Sequence, residues 1–432
     1  MLNSAAGLFG LTLPLVLVLG CCGAGDKSAP QAAAAPRTVT VAQSGQADVI
    51  GTDNVALQKA ADMLRPGDTL AIGAGQWLME DKLVIPVSNA TVRGIKGETV
   101  LFKSAGVSSK VVDCGDYGER VLVVAEPEKF KVGMGITAQD DIHASGWDVT
   151  VTTIQAIVGD TLKIEPYTVR DYDYETGHSM VENKFPILTA YEKEGLVIED
   201  ITVDGNREGG TGYIDGCRGG GIYLYDCRNC VIRGCEVRNY NGDGISFQIT
   251  DNIKVLDCES HHNFGYGVHP GTGSPNAEIT GCHFHHNDQI GFFLCWRVRY
   301  GKFSNNVIEN NGQYGISIGH KDTDNLFEGN TIRGNGICGV IFRQETEKLS
   351  GHRNVFRGNT IADNGGPKEG YGVYVEAPAH DLTFEGNTIE ETRSGAEATQ
   401  QWGIWVSKAA GPVKSEGNTF RGNLKGDLFE QK

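Results

Sequence analysis

The chain has 432 residues, with 38 Lys and Arg against 54 Asp and Glu, for a formal charge of −16. That balance repels polyanions from the molecule as a whole. The sequence also holds no phosphate-binding glycine loop and no nucleic-acid module, which excludes a nucleic-acid partner.

Residues 1–20 are apolar and end Val16-Leu17-Val18-Leu19-Gly20 before Cys21. A short apolar run with a small residue before the cut reads as a secretory signal, not a membrane span. The Val-Leu-Gly-Cys ending resembles a bacterial lipoprotein box. That resemblance implies lipidation at Cys21 and an exported protein anchored at the outer membrane, facing the periplasm or the surface. The first eight residues depart from it in holding no Lys or Arg; an ordinary signal peptide cut nearby is the alternative. Residues 21–37, rich in Ala, Gly, Pro and Ser, read as a flexible tether. No other segment is long and apolar enough to span a bilayer as a helix.

Residues 38–104 read as an N-terminal cap with the first coils. Asp53 is a fair N-cap for a helix over Val55 to Leu64, with Leu57, Ala60, Ala61 and Leu64 on one face. Pro66-Gly67-Asp68 stops it, and Thr69 to Ile72 begins the first coil. Residues 105–185 read as an inserted β-subdomain, with Gly159-Asp160 as a hairpin turn. It walls one side of a groove or is purely structural; the sequence leaves both open.

From residue 186 to 432 the chain repeats itself. A Gly followed by an apolar residue recurs at Gly221, Gly244, Gly267, Gly291, Gly315 and Gly339, at spacings of 23, 23, 24, 24 and 24. Cys235, Cys258, Cys282, Asn306, Asn330 and Asn359 form a second column. Asn241, Asn263, Asn287, Asn311, Asn335 and Asn364 form a third. A fixed period of this size means stacked repeats. About 23 residues with period-2 alternation suit three short strands per turn of a solenoid, paired to the next turn at about 4.8 Å. Asn306, Asn330, Asn359, Asn387 and Asn418 are expected to form an amide ladder along the axis. Cys235, Cys258 and Cys282 continue that column as buried free thiols. This pattern resembles the right-handed parallel β-helix superfamily of pectate lyases, polygalacturonases, alginate lyases and mannuronan C5-epimerases. The expected fold is all-β: a right-handed parallel β-helix solenoid with an N-terminal capping helix and a small inserted β-subdomain, acting as a monomer.

In each Gly-led strand, alternate residues point away from the core. The first outward column is Tyr223, Ser246, His269, Phe293, Ser317, Ile341, Tyr374 and Trp405, read as exposed to solvent. The next holds Tyr225, Gln248, Gly271, Cys295, Gly319, Arg343, Glu376 and Ser407. Trp296-Arg297, His320-Lys321 and Gln344-Glu345 follow where each strand turns. His269, Arg297, Lys321 and Arg343 span about 15 Å along the axis. A basic strip on an acidic protein favours an anionic ligand, and uronic-acid polysaccharide suits it. Elimination or C5-epimerisation starts by removing the proton beside a carboxylate, once a cation neutralises that carboxylate. Arg297 or Arg343 is the candidate cation and His269 or Lys321 the candidate base. Tyr266, Tyr223 or Tyr225 is the candidate acid. Tyr223, Tyr225, Gln248, Trp296, His320 and Glu345 are expected to bind substrate.

Tyr266-Gly267-Val268-His269-Pro270 resembles the mannuronan C5-epimerase run Tyr-Gly-Phe-Asp-Pro-His, with His269 in place of Asp and Gly271 in place of His. Asn241-Gly242-Asp243-Gly244 resembles the polygalacturonase Asn-Thr-Asp-Gly motif, but the Asp-Asp pair of that family is absent from the next coil. Asp243 is therefore expected to serve its turn. The expected function is a polysaccharide lyase acting by β-elimination. The alternatives are a polygalacturonase-like glycoside hydrolase, a C5-epimerase, or a non-catalytic glycan-binding protein. No cofactor is assigned: Asp322 and Asp324 read as acids, Ca²⁺ ligands or loop charges, and the His261-His262 and His285-His286 pairs as stacked turn imidazoles rather than a metal site.

Overall fold

The structure, a computed structural model, describes residues 35–432. The apolar leader, Cys21 and most of the tether lie outside the described residues. From Pro36 to Lys432 the chain forms one unit, a right-handed parallel β-helix. Three parallel sheets of 13, 11 and 11 strands run along its length. Each regular coil contributes one strand to each sheet. In one coil Ile245–Gln248 lies in the third sheet, Lys254–Leu256 in the first and Glu259–His261 in the second. Register is kept from coil to coil: Ile222, Ile245 and Val268 pair in succession. Their side chains point inward and join one continuous apolar core. Stacking thus supplies the burial that a single coil of this length lacks.

The corners are held by amide ladders. Asn306 donates Nδ2 to Asn330 Oδ1 at 3.0 Å, Asn330 to Asn359 at 3.0 Å, and Asn359 to Asn387 at 2.9 Å. Asn387 reaches Asn418 at 2.9 Å. Cys282 continues this column and gives its backbone N–H to Asn306 Oδ1. A second ladder runs from Asn263 through Asn287, Asn311 and Asn335 to Asn364. Asn241 does not extend it. The backbone N–H of Tyr240 takes the bond to Asn263 Oδ1 instead. Tyr240 stands 23 residues before Asn263 and Asn241 only 22, so the coil period selects Tyr240.

The one α-helix among the described residues, α1 (Asn54–Ala61), closes the N-terminal end. Asp53 caps it by accepting the Ala56 N–H, and Leu57, Ala60 and Ala61 are buried. It stops short of Leu64. Met63 and Leu64 bond back three residues, to Ala60 and Ala61, so the last turn tightens before Pro66. Among the described residues no helix is long and apolar enough to cross a membrane.

Six antiparallel strands from Ser108–Asp113 to Met180–Glu182 close into a small barrel with its own core. Thr150–Val158 and Thr161–Glu165 pair across Gly159-Asp160. The barrel is inserted at the corner between the second and third sheets. One coil later, residues 205–221 leave the same corner between Thr202–Asp204 and Ile222–Tyr225. That placement decides what the third sheet shows to solvent.

Candidate functional site

The outward columns of the third sheet do point away from the core, but the early coils are not open to water. Residues 211–219 lie across them. Tyr223 donates its hydroxyl to the Cys217 carbonyl at 2.7 Å. Ser246 Oγ and Gln248 Nε2 both donate to the Gly216 carbonyl, at 2.6 and 3.3 Å. Asn241 holds the cover from the side, donating Nδ2 to the Thr211 carbonyl and accepting the Ile214 N–H on its own carbonyl. The barrel backs it: Lys184 Nζ donates to the Tyr213 carbonyl, and Arg218 donates to the Trp147 carbonyl and lies 5.3 Å over that ring. The expectation of an exposed column is therefore corrected for Tyr223, Ser246, Gln248 and His269, each 2 % exposed or less; Ser317 and Ile341, farther along, are buried as well. Alternation fixes which face a side chain takes, not what covers that face.

Under the cover sits a polar cluster. Asp243 Oδ2 lies 2.6 Å from His269 Nδ1, and Asp243 Oδ1 accepts the Tyr266 N–H. Asp243 thus serves its turn and also orients a histidine. Burial pushes its carboxyl up, against the lowering pull of His269. Burial alone would lower the His269 ring, but Asp243 and Cys295 outweigh it and raise it. One ring nitrogen of His269 lies within 4.8 Å of the Cys217 and Cys295 sulfurs. The Cys217 thiol, followed by His269 and Arg343, draws Cys295 down against burial. Tyr266 packs on Phe293 and against the His269 edge, at 4.3 and 5.5 Å. Burial and the nearby Asp243 push its hydroxyl up, so it keeps its proton. As drawn, His269 has no route by which a large substrate would hand it a proton.

Arg343 marks the boundary between covered and open surface. It donates to Ser317 Oγ at 2.7 Å and to the Leu294 carbonyl at 2.8 Å, and lies 4.5 Å over the Phe293 ring. Asp322 lies 3.6 Å from it. Asp322 is fully buried and accepts the Val298 and Gly319 N–H groups; burial raises its carboxyl to about 6. Asp324 is paired twice with Arg353. Neither offers the open oxygens that Ca²⁺ needs.

Beyond Arg343 the face opens. Tyr374, Trp405 and Phe429 are in register on successive coils. Tyr374 and Trp405 lie 4.9 Å apart, and Trp405 stacks on Phe429 at 5.8 Å. At the strand ends, Trp296 is 47 % exposed and stacks on His320 at 4.7 Å. His320 Nδ1 lies 3.5 Å from Glu345. Trp296, Arg297 and Lys321 all have φ near +60°, a left-handed corner that turns their side chains out of the strand. Tyr225 stands apart from these, packed on Trp147 of the barrel. The His261–His285 and His262–His286 rings stack at 4.8 and 5.2 Å, as the repeat predicts.

The meeting of Cys217 with His269 and Cys295 is not visible in the sequence, apart from one signal, the glycine density from Gly209 to Gly221. At Gly216 a Cβ would overlap Asp243 Oδ2 and His269 Nδ1, so only glycine lets the cover lie there.

Comparison with known proteins agrees with this architecture. The family described as "Right handed beta helix region" matches residues 187–350. No curated protein matches the sequence. Among solved structures, the chain is similar to the A-module of the mannuronan C-5 epimerase AlgE4 of Azotobacter vinelandii. That match has a TM-score of 0.59 and 18 % identity over 88 % of this chain and 87 % of that one. The AlgE6 A-module of the same organism gives 0.53 at 16 %, over 88 % and 95 %. PfbA, a surface adhesin of Streptococcus pneumoniae, gives 0.53 at 13 %, over 88 % and 89 %. At these identities the likeness is one of fold.

Proposed function

We propose that the protein acts on an anionic, uronate-containing polysaccharide laid along the open part of the third sheet. One observation carries this reading: the in-register rings Tyr374, Trp405 and Phe429 continue the column of Ile341, two residues before Arg343. Successive rings at the coil spacing offer stacking faces for sugar units. A guanidinium held by Ser317 and Leu294 is a preorganised donor for a carboxylate. Trp296, His320, Arg297 and Lys321 extend the binding edge. The reaction is β-elimination: Arg343 or Arg297 neutralises the carboxylate, Lys321 takes the adjacent proton and Tyr266 donates to the leaving oxygen. The apolar leader before Cys21 supports an exported, lipid-anchored protein.

The test is incubation with polyuronates and neutral polysaccharides, followed by absorbance of the unsaturated product and by reducing ends. Unsaturated product from a polyuronate supports elimination. Reducing ends alone mean hydrolysis, and an inverted C5 without cleavage means epimerisation. The covered Asp243–His269 pair favours a second reading, binding without turnover, in which affinity for the polyuronate is retained and no product forms.

A further inference from the structure

Three metal-ligating side chains meet where the cover touches the third sheet. Cys217 belongs to the cover; His269 and Cys295 come from adjacent coils. Their ligand atoms lie within 4.8 Å of one another. The elimination chemistry uses neither thiol. The His269 ring is already oriented, with Nδ1 taken by Asp243. Nε2 is the nitrogen left over, and it is sealed from water without a hydrogen-bond partner. Burying such a group unpaired is unfavourable, and a metal ion is the partner that two neighbouring sulfurs would share with it.

We propose that Cys217, His269 and Cys295 form a zinc site that latches the cover onto the sheet. Tetrahedral zinc at about 2.3 Å from sulfur and about 2.05 Å from nitrogen sets its donors about 3.6–3.8 Å apart. The cluster therefore needs to contract by about 1 Å at most. A carboxylate behind the ligating imidazole fixes its tautomer in zinc sites, and Asp243 holds that place. Two thiolates balance the charge of Zn²⁺, and the sulfur donors select against Ca²⁺ and Mg²⁺. Their protons are released on binding. Because one ligand lies on the cover and two on the coils, the ion ties the covering segment to the β-helix. The partly exposed Glu259–His261–His285 group is the weaker candidate. His261 and His285 already use both ring nitrogens, on Glu236, Glu259 and the neighbouring histidines. The zinc proposal does not depend on the polysaccharide reading.

The test uses the full chain, reduced with a phosphine, loaded with ZnCl₂ and dialysed against metal-free buffer. Zinc is measured by atomic emission, and a Co²⁺-loaded sample by absorbance. The expected result is about one zinc per chain and thiolate-to-cobalt charge-transfer bands. Cys295→Ser and His269→Gln should reduce retained zinc at least tenfold, with unchanged circular dichroism, while His285→Ala retains it. Should either core variant fail to fold, Cys217→Ser on the cover gives the same readout without altering a coil. No zinc retained by the wild type, cobalt spectra lacking thiolate bands, retention of copper(I) but not zinc, or zinc lost only in His285→Ala would each overturn the proposal.

Discussion

Asp243 and His269 stand one coil apart with Oδ2 2.6 Å from Nδ1, and neither side chain reaches solvent. Removing one member of a buried pair leaves the other uncompensated, at about 3–5 kcal/mol. Asp243→Ala should therefore lower the unfolding free energy by that amount, read in urea as a lower midpoint with little change in slope. A loss below about 1 kcal/mol would mean that water reaches the pair.

Gly216 is where the cover meets this pair. A methyl group there overlaps Asp243 and His269, so Gly216→Ala should lift the covering segment while leaving the coils intact. Amide exchange should rise several-fold across residues 211–220 and stay constant in the third-sheet strands. Unchanged exchange would show that the cover does not rest on the pair.

Asn330 holds four bonds inside a corner. It accepts from Asn306 N and Nδ2 and donates to the Phe303 carbonyl and Asn359 Oδ1. Asn330→Ala leaves buried groups unpaired and should cost about 3 kcal/mol or more. Asn418, at the partly buried end of the ladder, should cost about 1 kcal/mol. Chemical denaturation of the two variants checks the order; equal losses would argue against the ladder.

Glu391 ties down the loop that follows it. Its carboxylate accepts from Arg393 and from the Thr399 and Gln400 N–H groups. Burial raises its pKa, but Arg393 and then those N–H groups outweigh burial and hold it down at about 2, against an ordinary 4.5. The folded pKa is depressed, so the stabilisation is present above about pH 4.5 and is lost as pH falls towards 2. Glu391→Gln should be less stable at pH 7 and should flatten the acid limb between those values. Melting curves from pH 7 to 2.5 test this; parallel limbs for both proteins would contradict it.

The coil was legible because a stacked fold writes its period into the chain. Gly221, Gly244 and Gly267, and the Asn306–Asn330–Asn359 column, recur because each sits directly above its copy. Asn241 showed the limit of reading columns by residue type: its 22-residue spacing already set it outside the ladder, where it holds the cover. The site was only half legible. Alternation placed His269, Cys295 and Arg343 on one face. Nothing local could show that residues 211–219 fold back over Tyr223 and Gln248, because that depends on a corner loop and a barrel packed behind it. Cys217 carries no local sign of its partner for the same reason: Cys295 lies 78 residues away in sequence and meets it only through the cover.

The open third-sheet face is proposed to hold an anionic polysaccharide. Affinity electrophoresis through gels containing a polyuronate or a neutral glucan tests it most directly. Retardation by the polyuronate alone is expected, weakening as salt rises from about 0.05 to about 0.5 M. Retardation should fall at least tenfold in Trp405→Ala and Arg343→Ala. Equal mobility in both gels, or undiminished retardation in both variants, would contradict it.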